Sequence, residues 1–171
     1  MAEVDLVGPN KKISKELTFD YKEFYHYLRK WFTDRHYADI ETRYSEKLGQ
    51  DGKKVFSTSF ILEKRIEELT KLVMEVDLTC EVEDVKVNLN NGKSRKAQKG
   101  TAEVEIRAYV KRDVEGDWVL NPKKPHIMVL NEIYQKFVNK GKHQRFIAHL
   151  KKDRELFLSD IKTYLNTHKY D

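Results

Sequence analysis

Residues Leu72–Tyr109, LVMEVDLTCEVEDVKVNLNNGKSRKAQKGTAEVEIRAY, decide the fold, because they contain two alternating runs on either side of Asn91-Gly92. Apolar residues take every second position of Leu72–Val82, and they do so again in Ala102–Val110. A period of two is typical of strands with one buried face, and Asn-Gly is typical of a tight hairpin turn. The stretch therefore predicts a long antiparallel hairpin with one apolar face.

The register of this hairpin can be tested on the sequence. A two-residue turn would set Val82 opposite Thr101, which places an apolar residue against an outward-facing one along the whole pair. One extra residue within Glu83–Val85, or at Gly100, would restore the match and pair Val82 with Ala102. We therefore predict a β-bulge in the hairpin.

Periodicity elsewhere predicts helices around the sheet. Asp20 is a suitable N-cap for an amphipathic helix with an aromatic stripe, and Gly141 is placed to end a later helix. The predicted elements are a flexible leader over 1–18, a helix over 21–33, strands over 37–48, 54–62 and 118–120 beside the central hairpin, and helices over 125–141 and 142–166. This predicts a single α+β domain over 19–171. Its antiparallel four- to five-stranded meander sheet has an N-terminal helix and two C-terminal helices, in the order α-β-β-β-β-(β)-α-α.

Composition argues against a membrane-spanning or secreted protein. The 171 residues are 39% apolar and 36% charged, and no run approaches eighteen apolar residues. Cys80 is the sole cysteine and lies on the inward face of a predicted strand, so an intrachain disulfide is excluded. We expect a cytoplasmic protein.

Catalytic and metal-binding patterns are missing from the sequence. No two of the six histidines lie at metal-ligand spacing, and there is no phosphate-binding glycine loop and no nucleophile elbow. Glu81 and Glu103 could face each other on the outer strand face and do acid–base work or bind a cation, but a solvated face explains them as well. We expect no metal site, no cofactor and no catalytic residue, and therefore a protein that is not an enzyme.

Positive charge is distributed unevenly. The net charge is +5, and residues 121–154 hold nine Lys or Arg against two acids, a surplus of seven. More cations cluster at the tip of the central hairpin, a shape that suits contact with phosphate backbones. The candidate anion-binding or nucleic-acid-binding residues are Lys93, Arg95, Lys96 and Lys99 at the tip and Lys140, Lys142, Arg145, Lys151 and Lys152 on the last helix.

These cations favour a binding module whose partner is RNA or a ribonucleoprotein. Exposed aromatic residues for base stacking are limited to candidates such as Tyr109 and Trp118, so we expect recognition of shape and charge. The alternative for both cationic clusters is a solvated lysine face or a mobile turn with no ligand.

Two other functions fit the same pattern. The sheet and helices could enclose an apolar small molecule, as helix-grip folds do, or the protein could be a structural subunit of a homo-oligomer. An apolar ligand would require a cavity lined by Tyr25, Trp31, Phe60 and Phe157.

Several short motifs resemble those of a group of small uncharacterised archaeal α+β proteins. The motifs are Phe19-Asp20-Tyr21-Lys22-Glu23-Phe24-Tyr25 leading to Trp31, Tyr44-Ser45-Glu46-Lys47, Lys99-Gly100 before a Glu-rich strand, and the turn at Trp118. The resemblance covers most of the chain from Phe19 onward. Where a tyrosine after the acid is expected, the chain has Lys111-Arg112-Asp113-Val114. The resemblance implies an intracellular archaeal domain and no particular activity.

Overall fold

The computed structural model describes residues 2–49, 51–88, 92–113 and 140–170. Within these residues the chain forms one six-stranded antiparallel sheet and two helices. In chain order the elements are β1 (Ala2–Leu6), β2 (Lys11–Phe19), α1 (Tyr21–Asp34), β3 (Ala38–Leu48), β4 (Lys54–Glu67), β5 (Thr70–Asn88), β6 (Ser94–Asp113) and α2 (Lys140–Thr167). No helix in these ranges is long and apolar enough to cross a membrane.

The sheet is a meander whose last strand also pairs with the start of the chain. Its order is β1-β6-β5-β4-β3, and β2 also pairs with β6. β1 lies along Tyr109–Asp113 and β2 along Gln98–Ile106, so the two follow one another beside β6. Gly8, at a φ of 69°, allows the break between them.

The predicted α+β class with an antiparallel sheet is confirmed, but the predicted element order is wrong, and the described residues contain two of the three predicted helices. Two strands precede α1, and the stretch that we expected to be a flexible leader forms β1 and β2. Only Ile13, Leu17 and Phe19 alternate inward in β2, a signal too short to predict a strand without its partner β6.

Of the elements predicted after β6, only the last helix lies fully within the described residues. The helix over 142–166 is confirmed as α2, but Gly141 lies inside α2 and does not end a helix. The short strand over 118–120, and the helix over 125–141 apart from its last two residues, lie outside the described residues.

The predicted bulge in the central hairpin is wrong. Pairing between β5 and β6 is continuous, with Val82 opposite Gly100 and Cys80 opposite Ala102. The last pair is Asn88 with Ser94, so five residues connect the strands where a two-residue turn was expected. An odd number of connecting residues restores the apolar match without a bulge.

Both helices cover the inner face of the sheet, where the aromatic core lies. Phe24 stacks on Tyr164 at 5.5 Å between ring centroids, and Trp31 meets Phe157 at 4.7 Å. The predicted inward stripe of α1 is confirmed. Its predicted N-cap is confirmed as well, because the Asp20 carboxylate accepts from the backbone N–H of Lys22 at 2.9 Å.

Burial of Tyr21 predicts a loss of stability in alkali. Its ring stacks on Phe56 at 4.3 Å and its hydroxyl lies 3.1 Å from that of Thr58, and burial raises the pKa of Tyr21 to about 12. The neutral form is favoured in the folded state, so its contribution is complete below pH 10 and is lost as the pH rises towards 12. At pH 11 we expect the raised pKa of Tyr21 to lower the free energy of unfolding by about 1.4 kcal/mol relative to pH 8.

Urea unfolding of Tyr21→Phe and the unchanged protein at pH 8 and pH 11 measures this loss. The difference at pH 8 reports the lost hydrogen bond, and the variant should lose less stability than the unchanged protein between the two pH values. Equal losses in both proteins would show that Tyr21 does not carry the effect.

Candidate nucleic-acid interface

Arg95 at the hairpin tip is bound by the protein's own acids. Its guanidinium donates to Asp20 at 3.3 Å and to Glu23, and it lies 5.5 Å from the ring centroid of Tyr170. The hydrogen bond to Glu23 raises the pKa of Arg95 further. The Tyr170 hydroxyl also donates to Glu23, at 3.2 Å. Arg95 therefore connects the hairpin to α1 and to the end of the chain.

Lys99 is also surrounded by opposite charge. It lies opposite Glu83 in the register of β5 and β6, and together with Lys53 it lines a cleft of about 210 Å³ that also contains Glu16, Glu81 and Glu83. Acids and lysines are mixed in this cleft, so it offers little net attraction to an anion.

The other tip lysines lie in solvent. Lys93 and Lys96 are exposed, and Lys96 is directly opposite Lys86 across the strand pair. Opposed like charges destabilise a hairpin, and an anion bound between them would relieve the repulsion. The surplus charge of the tip is thus carried by Lys86, Lys93 and Lys96.

The predicted cations of α2 divide between two flanks of the helix. Lys142, Arg145 and Lys152 follow one another at intervals of three and seven, and His149 falls between the last two, which puts all four on one flank. At 100° per residue, Lys140 and Lys151 lie on the other flank. All five predicted cations are exposed.

The first of these flanks faces the end of β4. Lys64, Arg65 and Ile66 of β4 and Arg145, Phe146 and His149 of α2 line a groove of about 420 Å³, which we call the basic groove. Its cations surround an apolar floor, because Ile66 is 36% exposed and Phe146 packs against the core with part of its surface open.

Two acids beside the basic groove, Glu67 and Asp153, already have partners among the described residues. Glu67 lies 3.6 Å from Lys142 in an exposed ion pair, which contributes little to stability. The Asp153 carboxylate accepts from the Tyr37 hydroxyl at 2.7 Å and lies 3.5 Å from His149. Among the described residues that line the groove, Lys64, Arg65 and Arg145 are cationic and none is acidic.

The hairpin tip and the basic groove lie at opposite ends of the sheet. Glu67, which meets Lys142, pairs with Thr70 at the start of β5, whereas the tip follows Asn88 at the end of β5. Eighteen residue steps separate Thr70 from Asn88, about 60 Å along a strand. The two predicted clusters do not form one surface.

The aromatic residues expected to line a ligand cavity contact one another through Phe32. Phe32 lies 5.3 Å from Phe60 and 5.8 Å from Phe157, and Tyr25 lies 5.8 Å from Phe60. Phe60 and Phe157 are 1% and 0% exposed. These rings therefore pack against one another in the core.

Sequence reasoning missed five residues of the basic groove, namely Lys64, Arg65, Ile66, Phe146 and His149. Lys64 and Arg65 follow the predicted strand over 54–62, in a stretch that the structure shows to be the end of β4, and Phe146 lies in the predicted helix over 142–166. The signal that could have found them is the Lys-Arg pair at the end of an apolar alternation, 80 residues before Arg145. Of the two aromatic residues predicted as candidates for base stacking, Tyr109 is half-buried, and its hydroxyl donates to Glu75 at 3.0 Å. The other, Trp118, lies outside the described residues.

Comparison of the chain with protein-family models and with curated proteins found no match. Among the described residues, no three His, Cys, Asp or Glu side chains come together as a metal site would require.

Proposed function

We propose that the protein is a non-enzymatic binding module that holds RNA, free or in a ribonucleoprotein, in the basic groove. The observation that carries the proposal is the convergence of Lys64 and Arg65 from β4 with Arg145 from α2. Three cations from two elements line one groove, and the neighbouring acids Glu67 and Asp153 are already paired, with Lys142 and with Tyr37 and His149 respectively. Phosphate backbones carry the regular negative charge that such a cluster attracts.

Arginine is well suited to this task. The guanidinium presents several N–H groups in a fixed plane, so Arg65 and Arg145 can each donate two hydrogen bonds to one phosphate. Lys142 and Lys152 extend the same flank of α2 along the groove. The exposed lysines of the tip, Lys86, Lys93 and Lys96, would meet a second segment of a long RNA.

Charge reversal in the basic groove should weaken RNA binding strongly. For the double variant Arg65→Glu with Arg145→Glu we expect the Kd for a 20-nucleotide RNA to rise at least about tenfold, since two phosphate contacts are lost. The slope of log Kd against log salt should fall by about 1.4. Fluorescence anisotropy across a salt series measures both quantities.

Two variants with the same change in net charge serve as controls. Lys22→Glu with Lys30→Glu alters two exposed residues of α1, and Lys93→Glu with Lys96→Glu alters the tip. The α1 variant should lose much less affinity than the groove variant. Equal losses in these two proteins would mean that binding follows net charge alone and would refute the groove. An unchanged Kd in the tip variant would remove the tip from the proposal.

Self-association is a second candidate function, favoured by the position of the exposed apolar residues. Val4 and Leu6 lie on β1, and Ile40, Tyr44 and Leu48 lie on β3, the two strands that end the sheet order. Strands at the end of a sheet offer unpaired backbone groups to another chain. Light scattering at two protein concentrations separates a homo-oligomer from a monomer.

A further inference from the structure

The apolar floor of the basic groove, formed by Ile66 and Phe146, indicates what kind of anionic ligand the groove binds. Phe146 belongs to α2, packs partly buried against the core and lines the groove together with Ile66. Arg145 and His149 stand on either side of it along the helix, at one residue before and three residues after. A polyanion bound only through its phosphates would make no apolar contact with this floor, because its backbone is polar throughout.

We propose that Phe146 is a stacking platform for one unpaired base, and that the groove therefore selects single-stranded nucleic acid. The inference rests on the proposed function and specifies the class of nucleic acid. A base has a flat apolar face that covers an aromatic ring, and its own phosphate lies within a few ångströms of that face. The groove presents the matching pair, a ring with arginine and lysine at its rim.

The size of the groove fits this occupant. Its volume of about 420 Å³ lies within the range of sites that hold molecules as large as a nucleotide. A base that is paired within a duplex has both faces stacked and cannot cover Phe146 without leaving its helix. The cations of the rim favour a nucleotide over a neutral apolar ligand, since a neutral ligand would leave Arg65 and Arg145 without an anion.

An abasic oligonucleotide provides the direct test. It carries the same phosphates as a single-stranded RNA of equal length but has no bases, so only the stacking contact differs. We expect the unchanged protein to bind a 12-nucleotide uridine RNA about tenfold more tightly than the abasic chain. Equal affinities would refute the stacking platform while leaving the proposed function standing, and binding of neither would refute the proposed function itself.

Substitution of Phe146 identifies the residue. Phe146→Leu keeps an apolar side chain against the core, and we expect it to lose about tenfold in affinity for the uridine RNA and to bind the abasic chain unchanged. Phe146→Tyr retains a ring and should bind both as the unchanged protein does. An unchanged affinity of Phe146→Leu for the RNA, or an equal loss for both ligands, would refute the assignment.

Two further ligands complete the test. A duplex RNA with the same number of phosphates should bind more weakly than the uridine RNA, and a duplex that binds more tightly would overturn the selection of single strands. A polyglutamate peptide of matched charge should also bind more weakly. Equal or tighter binding of the peptide would identify the occupant as an acidic protein segment and overturn the proposal.

Discussion

Replacing Gly100 with alanine is expected to lower the free energy of unfolding by about 3 kcal/mol. Gly100 lies in β6 and pairs with Val82 of β5 on one side and with Leu17 of β2 on the other. A Cβ atom at this position would lie against the backbone carbonyl oxygen of Glu81 and 2.8 Å from the Cα of Val82. Backbone atoms cannot rotate away, so two strands would have to separate.

Gly141 provides the matched control within the same chain. It lies in α2, and a Cβ atom there would meet no atom within 4 Å. Alanine is the better helix former, so Gly141→Ala should raise the free energy of unfolding by up to about 1 kcal/mol. Urea unfolding of the two variants decides the matter, and a Gly100→Ala protein as stable as the original would show that the strands do not approach this closely.

Replacing Arg154 with methionine is expected to cost about 3 kcal/mol of stability. The side chain of Arg154 is 2% exposed and donates to the carbonyl oxygens of Val7 and, at 3.2 Å, of Pro9. These carbonyls lie where the chain breaks between β1 and β2. Methionine fills a similar volume but cannot donate, so the buried carbonyl of Val7 would lose this hydrogen bond.

Lys151 serves as the control for Arg154, because it is a cation of the same helix that is exposed where Arg154 is buried. Lys151 is exposed on the same helix, and Lys151→Met should change the free energy of unfolding by less than about 0.5 kcal/mol. Hydrogen exchange adds a local readout, because loss of Arg154 should weaken protection in β1 and β2 before the rest of the sheet. Equal stabilities of the two variants would contradict the structural role of Arg154.

Local periodicity predicted the elements whose signal lies within their own residues. The aromatic stripe of α1 and the alternation in β5 each repeat often enough to be recognised alone. β2 has three inward apolar residues and becomes a strand because β6, about 90 residues later, offers it hydrogen bonds. Such pairing is a property of the folded chain, and a short sequence window does not contain it.

The basic groove, like the pairing of β2 with β6, is formed by residues that lie far apart in the sequence. Charge patterning identified Lys142, Arg145 and Lys152 as exposed cations of the last helix, and the structure places them there. The partners on β4 were not predicted, since nothing local links Lys64 and Arg65 to a helix 80 residues away. Arg95 was predicted to bind an anion, but in the structure it contacts the protein's own acids Asp20 and Glu23. These acids lie more than 70 residues before Arg95, so the local sequence does not reveal the contact.

A titration followed by backbone amide NMR tests the central claim most directly. When a 12-nucleotide uridine RNA is added to the isotopically labelled protein, we expect the largest shift changes in residues 64–66 at the end of β4 and residues 142–152 of α2. Saturation of these shifts should follow one binding curve. Shift changes confined to the hairpin residues 86–99, or none at any RNA concentration, would contradict the assignment of the basic groove as the RNA-binding surface.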